Sequence, residues 1–258
     1  MNNHILPTLF VSHGSPLLAM DETQGAEYRA WGASLQKPQA ILVFSAHWES
    51  DQLSFGETIT HNELLYDYWG FPEELYDIQY AAPGAAEFIE PIAHLLGDKY
   101  QLATTSRGLD HGIYIPFLHM WPKADIPILQ MSMPLNFSNH ELFELGATLS
   151  PLQQQGVLII GSGSLTHNLR EFNPQYRGEP ISWAVEFDEW IKTTLLNKDI
   201  DALLNWEVVA PQAKRNHPTP EHFRPLIIAT GAGNQDAVSF PLDGFQYGTF
   251  TRRSVQFG

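Results

Sequence analysis

The chain has no cysteine among its 258 residues. Disulfides and thiolate zinc sites are therefore excluded, and any metal must be held by His, Asp, Glu or water. Positive charge is scarce, with 14 Lys and Arg against 29 Asp and Glu and a formal net charge of −15. Nucleic acid and anionic membrane surfaces would repel such a chain, so neither is an expected partner. No apolar run approaches a transmembrane span. The opening MNNHILPTLF has no basic residue and no long apolar stretch, so it does not read as a secretory signal, and a cytoplasmic location is expected. Several familiar motifs are missing too. There is no HExxH, and GSGSL at 161–165 lacks the second glycine of a nucleophile elbow and the third of a dinucleotide fingerprint. ATGAGN, which contains Thr230 and Asn234, follows a helical pattern rather than opening one, so it is no phosphate loop.

What is there is a globular composition, 43% hydrophobic and 12% aromatic, long enough to bury a substantial core. Short apolar runs alternate with helical patterns. This predicts a single α/β domain over residues 1–258 with a mostly parallel central sheet flanked by helices. Strands are expected at Ile5–Val11, Ala40–Ser45, Ile126–Met131, Val157–Gly161 and Tyr247–Phe257. Helix starts are expected at Ser138, whose capping box uses Glu141, with Phe137 stapling onto Leu142, and behind Ser182 as an N-cap. Trp183, Phe187, Trp190, Ile191 and Leu195 give the latter helix one apolar face, as Tyr28, Trp31 and Leu35 do for an earlier one.

Histidines occupy the places where the chain changes direction. His13 closes LPTLFVSHGSP, His47 closes AILVFSAHWE and His167 follows VLIIGSGSLTHNL. All three map to the carboxyl ends of strands, the edge at which open α/β sheets bind ligands. An imidazole held on a rigid strand end can bind a metal or move a proton. His222, in HPTPEHFRPL, follows the pair Thr219-Pro220, an N-cap and first helical residue, although Pro225 would kink that helix or delay its start.

Each histidine has a plainer reading beside the functional one. His13 is either a ligand or the cap of the turn that Gly14, Ser15 and Pro16 form. Glu49 shares a strand face with His47, as a metal ligand, an orienting partner or a solvated acid. His217 and His222 both border the Pro218-Thr219-Pro220 knot, which favours His222 as the rigid one. His167 is the foremost acid/base candidate, with Ser164, Thr166 and Asn168 available to orient it. His111 in GLDHG, beside Asp110, is either a second proton carrier or a turn histidine. His4, His61, His94, His119 and His140 read as structural. The stretch from Tyr66 to Tyr80 offers rings for a pocket wall, though a core role suits most of them, and Gly70-Phe71-Pro72 reads as a turn.

With these residues in place, the sequence resembles the class III, LigB-like extradiol ring-cleaving dioxygenases, and within them the DOPA 4,5-dioxygenase extradiol family. FVSHGSP, FSAHWE, YWGFPEELYDIQYAAPG, GLDHG, ADIPILQMS, GSGSLTHNLR, PTPEHFRPL and SVQFG match in order over nearly the whole chain. The resemblance implies one divalent metal per chain, Fe(II) for activity, with zinc plausible in purified protein. It implies His13, His47 and His222 as ligands, with His167 as a further ligand or the acid/base residue. It leaves open whether Glu221 or Glu49 joins the metal. The implied partners are a small catechol and O2. Two alternatives stand beside it: a zinc hydrolase on the same histidines, and a non-catalytic binding or signalling relative.

Overall fold

The computed structural model describes residues 5–233 and 236–258. Its strands are β1 (Thr8–Ser12), β2 (Ala40–Ser50), β3 (Leu53–Phe55), β4 (Leu102–Thr104), β5 (Ile128–Pro134), β6 (Val157–Gly163), β7 (Val238–Ser239), β8 (Phe245–Gln246), β9 (Phe250–Thr251) and β10 (Val255–Phe257). Eight of them form one sheet in the order β4-β3-β5-β2-β6-β1-β10-β7, and β8 pairs with β9 apart from it. The four central strands β5-β2-β6-β1 are parallel. Antiparallel pairs flank them, β10 on β1 and β3 on β5. This is the α/β architecture with a mostly parallel sheet that the alternating pattern predicts. Among the described residues no helix is long and apolar enough to cross a membrane.

The helices are α1 (Glu22–Ser34), α2 (Ile89–Leu96), α3 (His111–Met120), α4 (Asn139–Leu149), α5 (Ser182–Leu196), the short α6 (Ile200–Leu204), α7 (Trp206–Val209) and α8 (Ala213–Asn216), and α9 (Arg224–Ala232). Side-chain alternation along the central strands feeds two cores. Leu9, Val11, Ile41, Val43 and Ile160 pack with Tyr28 and Trp31 of α1 and Ile113 and Phe117 of α3. Phe10, Leu42, Phe44 and Ile159 point the other way, onto Leu142 of α4, Phe187 of α5 and Ile227 of α9. Each such burial contributes about 1.5–3 kcal/mol, more than the roughly 1 kcal/mol of a cap. Burial therefore decides which face each helix turns inward.

Ser138 and Glu141 do form a capping box at α4. Ser182 is the first residue of α5 rather than its cap, which is Ile181 without a side-chain bond. The segment expected as one strand from Tyr247 to Phe257 is broken, because Arg253 turns inward to pair with the buried Asp188 at 2.5 and 2.9 Å. The final helix begins at Arg224, not at Pro220. Pro225 lacks an N–H and its ring would clash with the carbonyl of Glu221 in a helix begun earlier. His222 is consequently held in a turn ahead of α9. His4 and Asn234 lie outside the described residues.

Candidate active site

The carboxyl end of β1 is fixed at every polar atom before the first histidine. Ser12 donates its N–H to Ser254 Oγ at 3.1 Å and its hydroxyl to the Thr251 carbonyl at 3.0 Å, while its own carbonyl accepts from the Tyr28 hydroxyl. His13 N–H then donates to the Gly163 carbonyl at 3.0 Å, across to β6. On β2, the pairing with β5 shifts register between Phe44 and Glu49, and His47 falls inside that irregularity. Such bulges re-aim a side chain. The His47 N–H donates to Ser45 Oγ at 3.2 Å and its carbonyl accepts from Arg107 at 3.0 Å. The turn carrying His222 is docked by Ser164 N–H donating to its carbonyl at 3.0 Å. A Cβ at Gly163 would stand 2.2 Å from that carbonyl, so only glycine lets β6 and this turn meet.

These supports bring His13, His47 and His222 together, each with one ring nitrogen within 4.8 Å of the others. Hydrogen bonding assigns their tautomers. The Ser162 hydroxyl donates to the Gly112 carbonyl, so its 3.1 Å contact with His13 Nδ1 must be accepted from an Nδ1–H. His222 Nδ1 faces Glu221 Oε1 at 2.9 Å, and His47 Nδ1 faces an Asp67 carboxylate oxygen at 3.2 Å. All three rings therefore turn an Nε2 lone pair inward. His47 Nε2 and His13 Nε2 are 3.3 Å apart, and the buried His222 Nε2 has no hydrogen-bond partner among the described residues. Metal–nitrogen bonds of about 2.1 Å put neighbouring ligand nitrogens at roughly this separation. Three Nδ1–H groups held by a hydroxyl and two carboxylates, with three Nε2 atoms left free, fit a divalent cation.

Burial holds His13 and His222 well below the ordinary imidazole value, and neighbouring histidine charges add to it. Burial lowers His47 as well, followed by His111. The rings are neutral near pH 7, so no proton needs displacing before a metal binds.

Two more histidines flank the trio. His167 stacks flat on His222, with ring centroids 3.4 Å apart and planes at 8°. It has a ring nitrogen near Glu221 and His222 but does not join the trio of His13 and His47. Burial, then the charge of His217, takes its pKa to about 3. No hydrogen bond among the described residues joins the side chains of Ser164, Thr166 or Asn168 to its ring. Their side chains bond to the carbonyls of Thr166, Thr249 and Arg215 and stiffen the loop instead. On the other side, the His111 ring lies 4.2 Å from that of His47, and its Nδ1 faces an Asp67 oxygen at 2.7 Å. Burial alone would raise the Asp67 carboxyl, yet the His111 hydrogen bond and the charges of His111 and His47 bring it to about 2.

Other candidates lie elsewhere. Glu49 is taken by Arg224 of α9. Asp110, next to His111 in sequence, accepts instead from Ser45 Oγ and Gln130 Nε2, both at 2.7 Å. His217 is buried among Phe187, Trp206 and Phe223, with Nε2 on the Leu165 carbonyl at 2.9 Å. His61 and His119 bond to the carbonyls of Ile128 and Leu18, while His94 and His140 are exposed. Most rings of the Tyr66–Tyr80 stretch pack on one another, and only Tyr68 meets the site, edge-on to His111 at 5.5 Å. A second aromatic row leaves the site from His167, through Phe250 at 6.0 Å and Phe172 at 5.6 Å to Tyr247 at 5.0 Å. Tyr247 holds φ +52° beside Gly248 at +73° in the three-residue connection between β8 and β9. Asparagine suits that position better than a bulky ring.

The buried rings also set an acid limit. His13, His47, His61, His167, His217 and His222 all have lowered pKa values, His217 to about 4. Below about pH 6.5 the unfolded chain takes up protons that the native rings refuse, so stability falls with falling pH. The slope is about 1.4 kcal/mol per pH unit for each such ring. Urea denaturation of metal-free protein is expected to show a midpoint dropping steeply from about pH 6.5 towards pH 4. A midpoint independent of pH over that range would contradict neutral burial.

Comparison with known proteins gives the chain its relatives. Residues 7–258 match the family described as the catalytic LigB subunit of aromatic ring-opening dioxygenase. A 4,5-DOPA dioxygenase extradiol of Beta vulgaris is 40% identical over 242 residues, covering 91% of this chain and 90% of that protein. One of Escherichia coli K12 is 33% identical, covering 100% of this chain and 97% of its own length. The crystal structure of an uncharacterised protein from Escherichia coli K12 superposes with a TM-score of 0.83 at 30% identity, covering 98% of this chain and 100% of that one.

Proposed function

Because the chain belongs to the LigB family of aromatic ring-opening dioxygenases, we propose that it opens a catechol ring in the extradiol sense, with a DOPA-like catechol as the substrate class. The observation that carries this reading is the trio of free Nε2 atoms on His13, His47 and His222, flanked by two further imidazoles. His13, His47 and His222 would hold one divalent cation, Fe(II) in the active enzyme. Bound there, it would supply Lewis acidity that lowers the catechol hydroxyl pKa and contact between both reactants.

The chain's own groups supply the rest. No hydrogen bond among the described residues engages the His167 ring nitrogens, and burial keeps the ring neutral, so a nitrogen lone pair faces no competing partner for a catechol proton. His111, oriented through Nδ1 by Asp67, is the second proton carrier. Both atoms of O2 enter the product as the carbon–carbon bond beside the diol breaks, so no external reductant is required. The row Phe250, Phe172 and Tyr247 offers aromatic edges to a planar substrate next to His167.

The test is oxygen uptake by metal-stripped protein reconstituted anaerobically with Fe(II), then mixed with L-DOPA and simple catechols in air. One O2 consumed per catechol with a yellow product is expected, and zinc-loaded protein is expected to be inactive. Three imidazoles also make a hydrolytic zinc site. No uptake with any catechol, together with zinc-dependent ester or amide cleavage, would replace the present reading.

A further inference from the structure

The segment between β3 and β4 is laced to the start of α3. Leu65 N–H donates to the Leu109 carbonyl at 2.8 Å, and Leu65 forms an isolated parallel bridge with Asp110. Tyr68 is fixed on the other side, donating to the Leu75 carbonyl at 2.7 Å and accepting from the Tyr114 hydroxyl at 3.0 Å. Between these anchors stands Asp67. One of its oxygens accepts from both the N–H and Nδ1 of His111, at 3.2 and 2.7 Å, and the other faces His47 Nδ1 at 3.2 Å. Asp110 cannot substitute, since Ser45 and Gln130 already occupy its two oxygens.

A single carboxylate thus addresses two imidazoles that have different tasks. We infer that Asp67 is a positioning residue that imposes the Nδ1–H tautomer on His47 and His111 together, tying metal retention at one ring to proton handling at the other. The inference rests on the proposed reading of His47 as a ligand and His111 as a proton carrier. With both Nδ1 atoms committed to Asp67, both Nε2 atoms carry lone pairs. An amide at this position would present N–H to one ring and an oxygen to the other, so one ring would have to exchange its proton to Nε2.

The test reads the rings as well as the activity. In metal-free wild-type protein, histidine ¹⁵N spectra are expected to show His47 and His111 with the proton on Nδ1. In Asp67→Asn at least one ring should move to the Nε2–H form. Affinity for Fe(II) and for Zn(II) should fall about 10- to 100-fold, and oxygen uptake at saturating Fe(II) should fall by at least about 10-fold. Asp67→Glu, which keeps the charge, should recover part of the affinity. A wild-type protein with either ring in the Nε2–H form overturns the inference without recourse to any variant. So does an Asp67→Asn protein with unchanged tautomers and metal affinity. Wild-type rings both in the Nδ1–H form, in a protein that consumes no oxygen with any catechol, would uphold Asp67 and retire the dioxygenase reading.

Discussion

Replacing His13 with alanine is expected to leave a folded protein that no longer retains a metal ion. Its ring is buried and lies 5.0 Å from that of His47 and 5.4 Å from that of His222, so it is common to both. The site offers three protein donors and would keep its remaining positions for reactants, so losing one removes a third of the protein's hold. Without a cation the several kcal/mol of Lewis-acid stabilisation disappear, which corresponds to a fall of at least about 10³-fold in oxygen uptake. The metal-free variant should denature within about 1–2 kcal/mol of metal-free wild type. Added Fe(II) at a hundredfold excess over Kd should stabilise the wild type by about 2.7 kcal/mol and leave the variant unmoved. Metal analysis together with denaturation in the presence and absence of Fe(II) reads both quantities. A His13→Ala protein with one tightly bound metal would transfer the ligand set to His47, Asp67 and His111 or to His167, Glu221 and His222, the two other groups with ligand spacing among the described residues.

His167→Ala is expected to behave differently, with metal content near that of wild type and kcat lowered by about 10²- to 10⁴-fold. The ring is stacked on a proposed ligand rather than set in the trio, so its removal leaves His13, His47 and His222 with their Nδ1 partners intact. KM for the catechol should change little if the ring acts on the proton and not on binding. Loss of metal in parallel with activity would instead make His167 a fourth ligand.

The parts of the site legible in the sequence were those set by local rules. A histidine ending an apolar strand next to glycine or serine needs no distant information to be placed at the carboxyl edge of a parallel sheet. His13, His47 and His167 carry that local signal. The pairing of carboxylates was not legible, because it depends on which segments the fold brings together. Glu49 finds Arg224 across 175 positions, and Asp67 reaches His111 across 44. Asp110 shows the converse, since a neighbour in sequence at the start of a helix points away from the ring it precedes. Asp67 sits between two tyrosines, whose rings give the stretch its aromatic pattern and leave the lone acid without a local signal. Pro225 did carry a usable signal, and taken strictly it would have moved the start of α9 past His222.

The sheet's outermost strands have a bearing on handling the protein. β4 and β7 contain three and two residues, whereas the apolar strands β2, β5 and β6 lie inside. Aggregation by edge-to-edge pairing needs an exposed ladder of unpaired backbone groups long enough to template another chain. Ladders of two or three residues offer little to copy. Concentrated samples should therefore resist fibril-like self-association while the sheet is intact, and precipitation during metal stripping would point to opening of the sheet itself.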